Sequence, residues 1–152
     1  DFPDSRRSYF QSLRGAEGER LVLEENIFVE AIPRSVQRRL TPQEMARYRA
    51  PFETPGLGRL PTLMFPRELP IGGEPADVVR ETKEDAAFMA ASKMPKLLIL
   101  VGEGTGLTER QRIECRQWPN QHEVQLAGKH FVHEDSPAEV AEAIRAFADR
   151  AV

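Results

Sequence analysis

The sequence contains a single cysteine, Cys115, among 152 residues, and only 7% of its side chains are aromatic. One cysteine cannot form an internal disulfide, so nothing ties the chain to an oxidising compartment. No apolar run approaches the ~18–20 residues that cross a bilayer, and the first ten residues do not resemble a signal peptide. The sequence therefore predicts a cytoplasmic protein that does not enter a membrane.

Basic residues are not in excess. Lysine and arginine number 21 against 24 acidic residues, which gives a formal net charge of −3. Nucleic-acid-binding proteins usually carry a basic excess that neutralises phosphates, so we expect no nucleic-acid partner. Hydrophobic residues make up 40% and charged residues 30% of the chain, which is enough apolar material for one folded domain.

The first 74 residues hold eight of the 12 prolines and no convincing alternating strand. Apolar spacing predicts helices over residues 5–14 and 21–32, the second ended by Pro33. Thr41 and Glu44 form a capping box with a proline at the first helical position, which predicts a helix from residue 42 to 48. Prolines between residues 50 and 73 argue against long regular elements. We expect a helical cap over residues 1–74.

Residues 75–152 instead alternate helices with strands. The pattern predicts helices over 76–92 and 108–117, and a third that begins at a Ser136 cap. It predicts strands at 97–101 and 123–127, the first a continuous apolar run typical of a parallel sheet. The expected inner faces of the first and third helices comprise Val78, Val79, Ala86 and Met89, and Val140, Ile144 and Phe147.

This order of elements is that of the last part of a doubly wound α/β sheet with parallel strands. Two parallel strands alone bury too little to be stable, so we expect partner strands from residues outside this sequence or from another chain. Ligands bind at the carboxyl ends of such strands. We therefore expect the helical layer of residues 1–74 to lie over those ends.

Several phrases resemble the haloalkane dehalogenases, a family of the α/β-hydrolase fold, and the resemblance runs along nearly the whole chain in order. The phrases are Glu25–Glu30, Glu44–Phe52 and Pro66–Ile71 in the cap region, and Trp118–Gln121 and Gly128–Pro137 near the C-terminus. A branch of luciferases that use coelenterazine shares many of these sequence motifs. The resemblance implies that residues 1–74 are the cap and that residues 75–152 are the C-terminal segment of the α/β-hydrolase core, with its last two parallel strands and their helices.

The resemblance also implies a chemistry. In the family a carboxylate displaces halide and becomes an ester, and a histidine then activates the water that hydrolyses this ester. The family's strand-to-helix nucleophile phrase, which resembles His-Asp-Trp-Gly, is absent from this sequence, and the chain does not begin with methionine. We therefore expect the C-terminal half of an enzyme about twice this length, inactive alone. Its partners would be a haloalkane, water, halide and the N-terminal half of the enzyme, and no cofactor is implied.

His130 is the candidate base. It follows a predicted strand that Gly128 ends, and the α/β-hydrolase order places the catalytic histidine in the loop after the last strand. The resemblance implies an apolar pocket that suits a haloalkane, since such a molecule binds chiefly by burial. The matching positions are Phe28, Ala31, Phe65, Pro66, Leu69, Leu107 and Phe131, with Phe65 where the family often has tryptophan.

Other candidates have ordinary explanations as well. Glu103, just past a predicted strand, matches the acid of some dehalogenase branches, but this chain resembles the branch whose acid lies upstream. His133 lies where the family has a sequence that resembles glutamine. It lacks the further ligands that a metal site needs, so we interpret it as a polar loop residue. Residues 102–106 suit a strand-to-helix turn better than a phosphate loop, since they lack the motif's lysine. Glu134 and Asp135 favour the start of the following helix electrostatically.

Three hypotheses follow. The first is a dehalogenase part that carries the base and the cap, and the second is a luciferase of the same fold. The third is a fragment without catalysis of its own, which only complements a missing half or serves as a binding module.

Overall fold

A computed structural model describes residues 4–102 and 107–151 of the chain. The α-helices are α1 (Asp4–Ser12), α2 (Ala16–Leu23), α3 (Ile27–Glu30), α4 (Pro42–Arg49), α5 (Leu60–Arg67), α6 (Ala76–Ala91), α7 (Glu109–Arg116), α8 (Val132–Asp135) and α9 (Pro137–Ala151). Two strands, β1 (Lys96–Val101) and β2 (Gln121–Leu126), and short 3-10 helices at Ile32–Ser35, Ala50–Phe52 and Gly56–Arg59 complete the described elements.

The chain divides into two compact units, residues 1–34 with 39–82 and residues 35–38 with 83–152. The cap and core segments that we drew at residues 1–74 and 75–152 remain a prediction, as does the placement of the first over the strand ends. In the part of the chain that the structure describes, no helix has both the length and the apolar character required to span a membrane.

The first unit is helical, as its sequence predicted, and packs around Leu13, Val22 and Leu63. Gly18 of α2 lies against α1, where a Cβ would come within 2.4 Å of the Leu13 Cα, so only glycine allows this approach. The capping box of α4 is present as expected.

One prediction for the first unit was wrong in detail. The single helix expected over residues 21–32 is broken at Asn26, which is buried with a φ of 57° and separates α2 from α3. Asparagine accepts this left-handed conformation more readily than most residues, and a helix cannot continue through it. In the proline-rich stretch, α5 forms with Pro61 in its first turn and contains Pro66 as well.

Arg59 holds part of the first unit together through its guanidinium group. The side chain is only 8% exposed, and its N–H groups donate to the backbone carbonyls of Leu23, Glu24, Phe52 and Glu53 at 2.7 to 3.3 Å. The first two carbonyls lie at the end of α2, where a helix leaves its last acceptors without partners. One buried arginine therefore satisfies both that helix end and the loop after residue 50.

The second unit contains the strand pair. Strands β1 and β2 are parallel, with Lys96 opposite Gln121 and Val101 opposite Leu126, which confirms the predicted pairing. The second strand begins two residues earlier than expected. Leu100 and Val101 are buried, whereas the other apolar residues of β1 are half-buried, because the described sheet has two strands.

Polar side chains fix the elements around this pair. Lys96 is 7% exposed, and its ammonium group donates to the carbonyls of Ser92, Met94 and Pro119, which joins the start of β1 to the segment before β2. Arg116 of α7 forms a paired hydrogen bond with Glu123 of β2 at 2.7 and 3.0 Å. The predicted capping box of α7 is present at Thr108.

Two expectations for the second unit's helices need qualification. On α9 Val140 and Phe147 are half-buried as expected, whereas Ile144 is 51% exposed and the neighbouring Ala143 is buried in its place. The Ser136 hydroxyl, expected to cap α9, donates to the Ala127 carbonyl at 2.8 Å. The Ser136 side chain therefore contacts the loop that follows β2. The four expected inner residues of α6 are all half-buried.

Candidate functional site

The carboxyl ends of β1 and β2 lie side by side, because Val101 and Leu126 are paired. The chain leaves β2 through a bend at residues 127–130 and enters α8 at Val132. This is the edge of a parallel sheet at which α/β proteins bind ligands. The bend carries His130, the residue that the sequence had singled out.

His130 is exposed, and its ring lies in a short row of three rings. The centroids of His130 and Phe131 are 5.4 Å apart, and those of Phe131 and His133 are 5.3 Å apart, with interplanar angles of 32° in both cases. Phe131 is half-buried. The two candidates predicted from this loop, His130 and Phe131, are therefore in contact.

Hydrogen bonds hold the His130 loop at both ends. The Ala127 carbonyl accepts from the Ser136 hydroxyl, and the Phe131 N–H donates to the Ser35 carbonyl at 3.0 Å. Ser35 is more than 90 residues earlier in the chain but belongs to the same compact unit. The backbone around His130 is thus set by a segment that sequence spacing could not connect to it.

The other predicted pocket residues are distributed over both units. In the first unit the rings of Phe28 and Phe65 meet edge to face, with centroids 5.8 Å apart. Phe28 also packs against the core, whereas Phe65 is 58% exposed. Ala31 and Leu69 are half-buried, and Pro66 is fully buried. Leu107 belongs to the second unit and is 36% exposed.

The acidic residues near the predicted site positions have distinct environments. Glu30 forms a paired hydrogen bond with Arg49, both distances 2.6 Å, and this bond holds the pKa of the Glu30 carboxyl below its usual range. Glu134 accepts from Arg38 at 2.6 Å. Glu103 lies outside the described residues. Within residues 4–102 and 107–151, no three His, Cys, Asp or Glu side chains gather as a metal site would require.

A cavity of about 340 Å³ lies beside the His130 loop in the second unit. It is lined by Gln37, Arg38, Ala127, Gly128, Asp135 and Ser136. The sequence had assigned Asp135 to the start of the following helix only. Its carboxylate instead accepts hydrogen bonds from backbone N–H groups of residues 37, 38 and 129. No local pattern indicates a contact across nearly 100 residues, so sequence reasoning missed it.

Comparison with known proteins agrees with this fold. The parallel pair with its helices and the helical first unit are the C-terminal part of an α/β-hydrolase fold, since the solved structures that match are of that class. Haloalkane dehalogenase DbeA from Bradyrhizobium elkani superposes with a TM-score of 0.86 at 38% identity, over 97% of this chain and 53% of that chain. No family model matches the chain.

Relatives found by sequence comparison include haloalkane dehalogenases. A haloalkane dehalogenase of Sphingobium indicum is 48% identical over 151 residues, which cover 99% of this chain and 51% of the relative. The chain is a homologue of the haloalkane dehalogenases along nearly its whole length, as its sequence motifs had indicated, and corresponds to their C-terminal half. It spans about half the length of the curated relatives it matches.

The luciferase alternative is also represented among the relatives. Coelenterazine h 2-monooxygenase of Renilla reniformis is 38% identical over 143 residues, which cover 91% of this chain and 45% of that protein. The dehalogenase of Sphingobium indicum is ten percentage points more identical over a longer stretch. The dehalogenase assignment therefore describes this chain better.

Proposed function

We propose that this chain is the base-carrying and cap-carrying part of an enzyme that hydrolyses haloalkanes. A carboxylate attacks the carbon that bears the halogen, the carbon–halogen bond breaks, and halide leaves. The resulting alkyl ester is then attacked by water, whose proton passes to the imidazole of His130. The alcohol is released and the carboxylate is regenerated. This route needs no cofactor.

The observation that carries the proposal is the location of His130. It lies in the bend directly after β2, at the carboxyl edge of a parallel pair, in a chain 48% identical to a haloalkane dehalogenase. The imidazole is exposed, so water can reach it. Its loop is held by hydrogen bonds at Ala127 and Phe131, which suits a group that must keep one orientation.

We assign the substrate pocket to the seven apolar residues named from the sequence. The contact between Phe28 and Phe65, and that between Phe131 and His130, support two parts of this assignment. A haloalkane offers little to hydrogen-bond, so apolar walls would supply its binding through burial. The exposed ring of Phe65 provides such a surface.

The nucleophile and the halide-binding donors lie, on this proposal, on N-terminal residues that are not part of this sequence. The sequence contains no phrase that resembles His-Asp-Trp-Gly, and the chain matches about half of its relatives' length. We therefore expect the chain alone to release no halide. The missing half can belong to the same polypeptide or to a separate one.

The test is to combine the chain with the N-terminal half of the Sphingobium indicum relative and to expose the mixture to 1,2-dibromoethane. His130→Ala should still displace halide once per site, because the carboxylate performs that step. The ester should then accumulate, and steady turnover should fall by about 10²–10⁴-fold. Mass spectrometry of the N-terminal half measures the alkyl adduct, and halide release measures turnover.

His133→Ala is the matched control, since it removes an imidazole three residues away in the same loop. It should change turnover by no more than about twofold, a change that we attribute to the lost ring contact with Phe131. Normal turnover in His130→Ala would remove that residue from the mechanism. Light emission from coelenterazine without halide release would favour the luciferase activity instead.

A further inference from the structure

The Asp135 carboxylate forms a clamp between two segments that are remote in sequence. It accepts the N–H of Gln37 at 2.8 and 2.9 Å, the N–H of Arg38 at 3.0 Å and the N–H of Lys129 at 2.9 Å. Lys129 directly precedes His130. All four bonds come from backbone groups, so they fix the main chain at these positions irrespective of side-chain rotamers.

The clamp is one of two restraints on either side of His130. Lys129 on one side is held by Asp135, and Phe131 on the other side donates its N–H to the Ser35 carbonyl. Both restraints connect the histidine loop to residues 35–38. The backbone of His130 is therefore flanked by one hydrogen bond to residues 35–38 and by one to the carboxylate that binds the same segment.

Residues 35–38 are themselves secured by a charged side chain. The Arg38 guanidinium donates to the Glu134 carbonyl and to the Glu134 carboxylate, both at 2.6 Å. This bond joins the segment to α8 beside the clamp. Gly128 completes the arrangement, because a Cβ at that position would lie 3.0 Å from the Asp135 Cβ. Glycine thus permits the approach of Asp135 to the loop.

The carboxylate is charged at neutral pH. Burial acts to raise the pKa of Asp135, but the N–H groups of Arg38, Lys129 and Gln37 outweigh it and leave the pKa below its usual range. A carboxylate that accepts several backbone N–H groups is stabilised in its charged form. The clamp is therefore intact above the ordinary aspartate pKa of about 3.9 and opens as the pH falls through the lower pKa of the folded chain.

We propose that Asp135 is a positioning residue that orients His130 by tying residues 35–38 to the histidine loop. It acts through the backbone of Lys129 and is not itself a proton acceptor in the reaction. This inference rests on the proposed function insofar as His130 is the base. The structural part, that the carboxylate sets the position of the His130 ring, is tested separately from activity.

The activity test uses Asp135→Asn in the chain combined with the relative's N-terminal half. An amide keeps only one acceptor oxygen and presents an NH2 group in place of the other, so it cannot bind the N–H groups of residues 37, 38 and 129 together, and the tie between the two segments is lost while side-chain volume is kept. Misplacing the base by about 1 Å should lower kcat by about 10²-fold, with KM changed less than threefold and the ester accumulating. Asp149→Asn, which makes the same chemical change at an exposed position of α9, is the control and should lower kcat less than threefold. Equal losses in the two variants, or unchanged kcat in Asp135→Asn, would overturn the proposal.

The structural test is an acid titration of the wild-type chain combined with the relative's N-terminal half, followed by NMR. Imidazoles ordinarily titrate near pH 6.5, so a ring signal that moves between pH 5 and pH 2 reports a change in its surroundings. The amide signals of Gln37, Arg38 and Lys129 should move together at one midpoint, and the His130 ring should move with them. His122, on β2, should stay unchanged. A His130 ring that does not follow these amides, or a His122 ring that moves with it, would contradict the positioning role.

The two tests separate failure of the inference from failure of the proposed function. If His130→Ala turns over normally, the proposed function fails, whereas the shared midpoint still reports whether Asp135 holds the ring. If His130→Ala accumulates ester but Asp135→Asn has normal kcat, the function stands and the inference fails. The wild-type titration also decides the structural part if Asp135→Asn does not fold.

Discussion

Gly128 lies where the chain leaves β2 and turns toward His130. Its φ of +137° is in the region that favours glycine, and a Cβ there would lie 3.0 Å from the Asp135 Cβ and 3.2 Å from one Asp135 carboxylate oxygen. The nearest atom is attached directly to the Asp135 backbone, so it cannot move aside cheaply. The position therefore requires glycine for two reasons, backbone conformation and space.

Gly128→Ala should therefore lower the free energy of unfolding. The backbone strain alone is of the order of 1–3 kcal/mol, and the collision adds to it. Gly72→Ala is the matched control, because Gly72 has a φ of +69° but no atom within 4 Å of the added Cβ. Urea unfolding should show the larger loss of unfolding free energy for Gly128→Ala. Equal losses in the two variants would mean that the approach of Asp135 imposes no steric demand.

At the scale of elements, both capping boxes are formed as the sequence predicted. The Thr41 hydroxyl accepts the Glu44 N–H at 3.2 Å at the start of α4, and the Thr108 hydroxyl accepts the Gln111 N–H at 3.3 Å at the start of α7. In each case the side chain of the third helical residue accepts a hydrogen bond from the backbone N–H of the capping threonine. These interactions satisfy N–H groups that a helix start leaves without partners.

Thr41→Ala and Thr108→Ala should each reduce the free energy of unfolding by about 1 kcal/mol, because each leaves an N–H group of the first turn without its acceptor. Thr82→Ala is the control, since its hydroxyl donates to the Val78 carbonyl inside α6, where alanine is the better helix former. That variant should be neutral or slightly stabilising. Chemical denaturation of the three variants measures the differences, and a neutral Thr41→Ala would contradict the cap's contribution.

At the scale of the whole molecule, the described surface carries many apolar side chains. Exposed large residues include Leu57 at 83%, Phe65 at 58%, Phe88 at 57%, Met94 at 54% and Ile113 at 50%. The described sheet has two strands, fewer than the three or more that independent stability usually needs. Together with coverage of about half of each relative, these features fit a polypeptide that packs against further residues.

We therefore predict that the chain binds the N-terminal half of the Sphingobium indicum relative. Burial of apolar side chains and pairing of the open strand edge should raise the thermal midpoint of unfolding of the chain. Sedimentation velocity should show a complex larger than the 17.2 kDa chain. An N-terminal half with its nucleophilic carboxylate neutralised is the control, and it should bind equally but give no turnover. Independent sedimentation of the two halves would contradict the prediction.

Local signals in the sequence were sufficient for several features of the fold. The capping boxes at Thr41 and Thr108 and the apolar run of β1 involve residues a few positions apart, so short-range hydrogen bonding and burial determine them. The place of His130 after the second strand followed from element order together with the family resemblance. These parts of the fold and candidate site could be predicted because their causes lie close together in the chain.

Tertiary structure decided the features whose causes are distant. The Asp135 carboxylate accepts the N–H groups of Gln37 and Arg38, almost 100 residues earlier in the chain, and the Ser35 carbonyl accepts the N–H of Phe131. A carboxylate before a helix has the same local pattern whether it favours the helix start or binds a remote backbone. The sequence alone established which residue types were available, whereas the partner of Asp135 was decided by folding, because only folding brings the N–H groups of residues 37 and 38 to within 3.0 Å of its carboxylate.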